Sequence, residues 1–293
     1  MAHCPVLLAE TMELLSPAPG GIYVDGNLGM GGHSREILRR SAPDGRLIGF
    51  DLDTDAIAMA RRNLAEFGGR VEYIHDNFAN SPERLAALGI DEVDGLLLDL
   101  GLSSYQLDSS ARGFSFQGKE PLDMRMDKAQ DLTAARILNS ASSEELADIF
   151  YFYGEERQAR RIASFVVQAR RKQEIITTDQ LVALVSRAVP RKFQPRKIHV
   201  ATKVFQALRI AVNKEMDNLL RILKLGPQML KNEAKFCVIS FHSLEDRLIK
   251  RAFQSDPSLS MVTRKPVTAG EDELRRNPRA RSAKLRMAKK EEL

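Results

Sequence analysis

Gly21-Ile-Tyr-Val-Asp25-Gly-Asn-Leu-Gly-Met-Gly-Gly-His-Ser34 is the stretch on which the fold turns. A short β-branched and aromatic run ends in an acid, a glycine-rich turn follows, and Ser34-Arg-Glu-Ile-Leu-Arg-Arg40 reads as a helix. Glycines allow a tight turn and close backbone approach to a ligand, and the helix behind them offers free N–H groups. Downstream, Arg46-Leu-Ile-Gly-Phe-Asp51 is a second strand, with Asp53 or Thr54 placed to cap a helix over 55–67. Arg70-Val-Glu-Tyr-Ile-His75 and Val93-Asp-Gly-Leu-Leu-Leu-Asp99 are third and fourth strands, separated by a helical stretch around Pro82 to Leu88. Alternating strands and helices predict a parallel sheet covered on both faces, an α/β class.

The pattern changes after the fourth strand. From about Ser109 to Arg209 helical periodicity dominates. Ile162, Phe165, Val166 and Ala169 form one stripe, while Arg157, Arg160, Arg161 and Arg171 lie largely off it. Strand signal returns at Lys235-Phe-Cys-Val-Ile-Ser-Phe241, after a long helical stretch from Val212 to Leu230. The simplest account is a doubly wound α/β domain in two parts, 1–108 and 210–293, interrupted by a helical insertion at 109–209. The last thirty residues are polar and basic, and read as partly loose.

Whole-chain composition narrows the class. In 293 residues, 43% are hydrophobic and 28% charged, ordinary for a globular protein. No apolar run approaches the roughly 20 residues of a bilayer crossing, and no secretory signal is readable, so the cytoplasm is the expected location. Cys4 and Cys237 are isolated, and the five histidines show no metal-ligand spacing, so no metal site is expected. The net charge of +5 is unevenly spread: Arg187 to Lys203 holds six Lys or Arg and no acid, and Arg264 to Lys290 also leans basic. Such patches suit a phosphate-bearing partner, or equally a solvated surface.

The glycine turn alone is weak evidence for a nucleotide site. Its neighbours strengthen it. Asp51 ends the second strand, where a carboxylate can accept from ribose hydroxyls. Asp76 and Phe78 follow the third strand, suited to an adenine amine and ring, and Asp99 ends the fourth. A dinucleotide fingerprint would want a third glycine where Ser34 stands, and no phosphate-loop motif with its lysine occurs. The acid immediately before the glycines favours S-adenosylmethionine, whose ammonium group needs a partner.

Beyond that turn, Leu97-Leu-Asp-Leu-Gly-Leu-Ser-Ser104, Pro121-Leu-Asp-Met-Arg-Met-Asp127, Tyr153-Gly-Glu-Glu-Arg157, Phe205-Gln-Ala-Leu-Arg-Ile210, Ser240-Phe-His-Ser-Leu-Glu-Asp-Arg247 and Asn277-Pro-Arg-Ala-Arg-Ser282 occur in order. With them the chain resembles the bacterial small-subunit ribosomal RNA methyltransferase H (MraW) family from His3 to Met287. The resemblance implies a Rossmann-like S-adenosylmethionine-dependent methyltransferase with an inserted helical domain. It implies methylation of the exocyclic N4 amine of a cytidine in the decoding region of small-subunit (16S) ribosomal RNA, free or within the 30S subunit. Carried over by position, the cofactor contacts would be Gly31, Gly32, His33, Asp51, Phe78, Asp99 and Gln106. Three departures stand out: Met30 and Val200 replace a usual glycine and a usual proline, and Asn232-Glu-Ala234 replaces Pro-Gly-Gly.

A cytidine amine is a poor nucleophile because its lone pair is delocalised into the ring. An acceptor for one N–H localises that pair, and Asp99 is the candidate, its rival role being cofactor binding alone. His242 and Ser243 also follow a strand and could face the base. Arg157, Arg160, Lys192, Arg196, Lys197, Arg279 and Arg281 are candidate phosphate contacts, the last two in a compact motif that suggests a place near the active site. A DNA amine methyltransferase would want a Pro-Pro-Tyr turn after the fourth strand, which Asp99-Leu-Gly-Leu-Ser lacks. An RNA-binding assembly factor with incidental methylation is the remaining rival.

Overall fold

The structure is a computed structural model that describes residues 5–108, 111–116 and 118–292. His3, Cys4 and the expected insertion start at Ser109 lie outside the described residues. The chain divides into two compact units, 1–101 with 216–293, and 102–215.

The first unit runs α1 (Leu8–Leu15), β1 (Ile22–Asp25), α2 (Gly32–Arg40), β2 (Arg46–Asp51), α3 (Thr54–Asn63), β3 (Val71–His75), α4 (Ser81–Ala87) and β4 (Val93–Asp99). Local chemistry sets these boundaries. Asp53 caps α3 by accepting from the Asp55 amide at 3.1 Å, and Pro82 occupies the first turn of α4, where a missing N–H costs nothing.

The second unit is helical: α5 (Ser104–Asp108), α6 (Ala134–Ser140), α7 (Ser143–Asp148), a π-turn over Ile149–Tyr153, α8 (Ala159–Arg170), α9 (Thr178–Ala188) and α10 (Thr202–Asn213). Its core includes Phe150, Ile162, Val166, Leu181, Val185 and Leu208. The stripe expected on α8 packs inward, while Arg157, Arg160, Arg161 and Arg171 are exposed. Leu102 and Leu107 pack on this same core and α10 runs on to Asn213, so the unit boundaries fall outside the expected 108/109 and 209/210.

The long helix expected over 212–230 is broken. Lys214 takes a left-handed conformation (φ 52°), ending α10, and α11 (Glu215–Leu225) starts afresh. The chain then completes the first unit with β5 (Leu230–Ser240), α12 (Ser243–Ser255), β6 (Leu259–Met261), α13 (Glu271–Arg276) and β7 (Lys284–Lys290). The sheet order is β3-β2-β1-β4-β5-β7-β6, parallel through β5, with β7 antiparallel to both neighbours. This is a doubly wound, Rossmann-like sheet whose order reverses between β1 and β4. Glu233, where the resembled family has glycine, is left-handed (φ 68°) beside a register shift in the β4–β5 pairing.

The polar C-terminal stretch is not loose; it holds β7. Leu285 and Met287 join the core on one face. On the other, Arg286 is buried and its Nε donates to Asp246 Oδ1 at 2.6 Å, with Lys284 Nζ on the second oxygen at 3.0 Å. Burial would raise the Asp246 carboxyl, but these two cations outweigh it and hold it below the usual range. Neutralised in place, the basic positions can sit inside a strand. Cys237, on β5, is buried and free, its thiol pushed up to about 12 by burial. Among the described residues, no helix is long and apolar enough to cross a membrane.

In the helical unit, Asn213 Oδ1 accepts from the Met126 amide, and Nδ2 donates to the Met124 and Arg209 carbonyls, each at 2.8 Å. Asn213→Ala strands these buried groups. Urea denaturation is expected to show a loss of about 2 kcal/mol or more.

Candidate active site

Backbone register places the acids. Asp25 pairs with Gly49 of β2 and with Leu97 of β4, so Asp51 and Asp99 both sit two residues beyond Asp25, level with Asn27. With strands spaced ~4.8 Å, the two acids flank the β1 turn about 10 Å apart. The turn is fastened on both sides: Gly26 N–H donates to the Leu97 carbonyl, and Leu28 N–H to that of Phe50, each at 2.8 Å. A side chain at Gly26 would strike Leu98 and Phe78, so only glycine passes there. Gly29 and Gly31 are left-handed (φ 52° and 81°), and Met30 between them is not, so the methionine meets no backbone conflict. Gly31 is the N-cap of α2, and Gly32, its first residue, lies against Pro5.

Each acid has a different environment. Asp51 Oδ2 accepts from the Gly29 amide at 2.8 Å and Oδ1 from Asp53 at 2.9 Å, which fixes the carboxylate against the turn. Burial still pushes it up to about 6. Asp25 is almost fully buried and its oxygens are taken, one by the Ser34 hydroxyl at 2.6 Å and one by the Asn27 amide. It ties β1 to α2 and does not present a carboxylate for the ammonium group expected there. Asp76 is likewise engaged, by Asn80 and Arg84; their hydrogen bonds outweigh burial and hold its carboxyl low. Phe78 is half-buried on the turn after β3.

Asp99 is the exception. Its Oδ1 is buried and has no hydrogen-bond partner among the described residues, and Oδ2 faces His33 Nδ1 at 3.6 Å. Burial pushes the carboxyl up to about 7, opposed by the Gly101 amide and assisted by the Glu245 charge. His33 is buried too, with Nε2 3.0 Å from the Val6 carbonyl. A carbonyl only accepts, so Nε2 carries the proton; burial lowers the pKa of this imidazole and keeps it neutral, leaving the Nδ1 lone pair toward Asp99. The same segment continues outward. Leu7 N–H donates to Glu273 of α13 at 2.8 Å, and the turn Pro278–Ser282 after α13 carries Arg279 and Arg281, both exposed, on a buried Ala280. The part played by Val6 and Leu7 was not visible from the sequence; α1 offers only a short amphipathic run.

The remaining candidates are placed as follows. His242 caps α12, its Nδ1 3.4 Å from the Glu245 amide, and the buried Glu245 carboxylate accepts from the Phe241 and His242 amides, so His242 has a structural task. Gln106 belongs to the helical unit and is buried; its Oε1 accepts from the Ser103 amide at 3.0 Å, a helix-start brace for α5. Arg157, Arg160, Lys192, Arg196 and Lys197 are exposed in the same unit.

This geometry suits a cationic nucleoside cofactor. It offers a carboxylate with an oxygen that no described residue satisfies, a second carboxylate held rigidly two strands away, glycines at the turn and an aromatic side chain beside it.

Comparison with known proteins agrees. The model of the MraW methylase family matches residues 1–291. The "Ribosomal RNA small subunit methyltransferase H" of Desulfotalea psychrophila is 56% identical over 98% of this chain and 98% of its own length. Proteins of the same name from Geotalea uraniireducens and Sorangium cellulosum are 49% identical over 98% of this chain, covering 98% and 90% of theirs.

Asp99 also gives a stability signature. Its folded pKa lies above the ordinary 3.8, so the folded state keeps this proton longer than the unfolded chain. The resulting contribution is full below pH ~4 and is lost as pH rises to about 7. Asp99→Asn is expected to melt above wild type at pH 8, with the difference shrinking toward pH 4 in thermal scans.

Proposed function

The chain belongs to the MraW methylase family, and from that premise we propose that it methylates small-subunit ribosomal RNA, with S-adenosylmethionine as donor, at the exocyclic N4 of a cytidine in the decoding region. The observation that carries the reading is the buried Oδ1 of Asp99 at the carboxyl edge of β4, which has no partner among the described residues. S-adenosylmethionine, when bound, supplies the sulfonium methyl group.

The chain's own residues then do three things. Gly31, Gly32 and the amides of the β1 turn let the backbone lie against the cofactor, with Asp51 toward the ribose hydroxyls and Phe78 against the adenine. Asp99, desolvated and next to a neutral His33, holds an acceptor where positive charge and an N–H must be met. It serves the cofactor's charge, the amine proton, or both in turn. Gln106 is carried over as a further cofactor contact. The exposed Arg157, Arg160, Lys192, Arg196, Lys197, Arg279 and Arg281 are assigned to RNA phosphates, the arginines through paired guanidinium contacts and the lysines as point charges. The base itself must leave its stack to reach a pocket at a sheet edge. The protein is read as cytoplasmic, where ribosomal subunits are made.

Incubation with methyl-labelled S-adenosylmethionine and either naked 16S RNA or 30S subunits, followed by nucleoside analysis, is expected to yield N4-methylcytidine in the decoding region. Label on protein, on DNA or on a ring nitrogen would refute the assignment. Cofactor affinity is also expected to rise with pH, because a cation is bound best by an ionised Asp99 that titrates near 7. Calorimetry between pH 5.5 and 7 is expected to show a gain of about tenfold, flattened in Asp99→Asn. Arg279→Ala/Arg281→Ala is expected to raise KM for RNA with cofactor affinity unchanged.

A further inference from the structure

We infer that the helical unit carries a second RNA-binding site, a groove between α8 and α9 that takes one unpaired nucleotide with its flanking phosphates. The inference rests on the RNA substrate proposed above, and names a contact separate from the base that is methylated. The groove encloses about 640 Å³, within the usual range for a site that takes a compact ligand. It is built wholly from residues 165–187.

Its chemistry is divided in the way a nucleotide is. Phe165, Ala169 and Leu184 are partly buried and supply an apolar wall. The Arg161 guanidinium lies over the Phe165 ring, 5.6 Å from its centroid, and is not itself part of the groove lining. Arg171, Lys172 and Arg187 are exposed around this wall, and none has an ion-pair partner among the described residues. Three arginines of the unit differ in this respect: Arg125 is paired with Asp123, Arg209 with Glu215, and Arg170 donates to the Leu138 carbonyl. The acid lining the groove is Glu174, which leaves a cationic excess. Gln180 adds a fixed donor. Its Oε1 is occupied by the Ile176 and Thr177 amides, so its Nε2 is what remains to meet a base edge. An aromatic wall for stacking, unpaired cations for phosphate and an oriented amide favour single-stranded RNA over a duplex, whose bases cannot reach the wall.

The test uses the full chain, a fluorescein-labelled single-stranded RNA 12-mer of mixed sequence, and anisotropy across a salt series without cofactor. Arg171→Glu/Arg187→Glu is expected to weaken binding at least tenfold at 0.1 M salt. The slope of log K against log salt should fall by about 1.4, two phosphate contacts at ~0.7 each for a single strand. Phe165→Leu, which keeps apolar volume, is expected to weaken binding severalfold with the slope unchanged. Wild-type affinity and slope in the charge-reversed variant would overturn the inference, as would equal competition by a duplex of the same sequence. Methyl transfer to 30S subunits is scored in parallel. Transfer without any groove effect removes the groove alone; a groove effect without transfer removes the substrate reading alone.

Discussion

The architecture rests on how the turn after β1 is held. One amide of that turn reaches into β4 and another into β2, so a loop that would otherwise be free is clamped by both neighbouring strands. The clamp exists because β1 lies at the point where strand order reverses, with parallel partners on either side. It fixes the height of Asp51 and Asp99 relative to the glycines, and it leaves no room for a Cβ at Gly26. The rigidity of the candidate site is thus a property of the backbone ladder more than of any side chain.

Within that frame, the acids are distinguished by who satisfies them. Asp25 and Asp76 are closed off by protein donors, Asp51 is braced, and Asp99 alone of the four retains a buried oxygen with no partner among the described residues. An unpaired buried acceptor is expensive in a folded protein and persists where a ligand completes it. The neutral His33 sharpens this, because it offers Asp99 no compensating cation.

Much of this was legible in the sequence. The first four strands, the glycine turn and the amphipathic α8 followed from residue period and turn chemistry, and the acids at the strand ends could be picked out. Sequence could not rank those acids, since Asp25 and Asp76 differ from Asp99 only through partners such as Ser34 and Arg84. Nor did it reveal β7, because Arg286 breaks the apolar run and is admitted to the interior only by Asp246, forty positions away. The break at Lys214 escaped for a related reason: lysine favours helix, and its left-handed turn is imposed by tertiary context. The substrate came from family resemblance, which no turn or strand supplies.

The position of the helical unit in the chain has a consequence for biosynthesis. The chain leaves the sheet just after Asp99 and does not return to it until β5, so β4 lacks one of its two partners while roughly 140 further residues are made. At ribosomal speeds of about 5–20 residues per second, that interval lasts on the order of ten seconds. The whole helical unit, with its own core, is complete before then. The nascent chain therefore carries an apolar edge, Leu96-Leu-Leu98, that must be shielded until β5, in the last quarter of the protein, emerges.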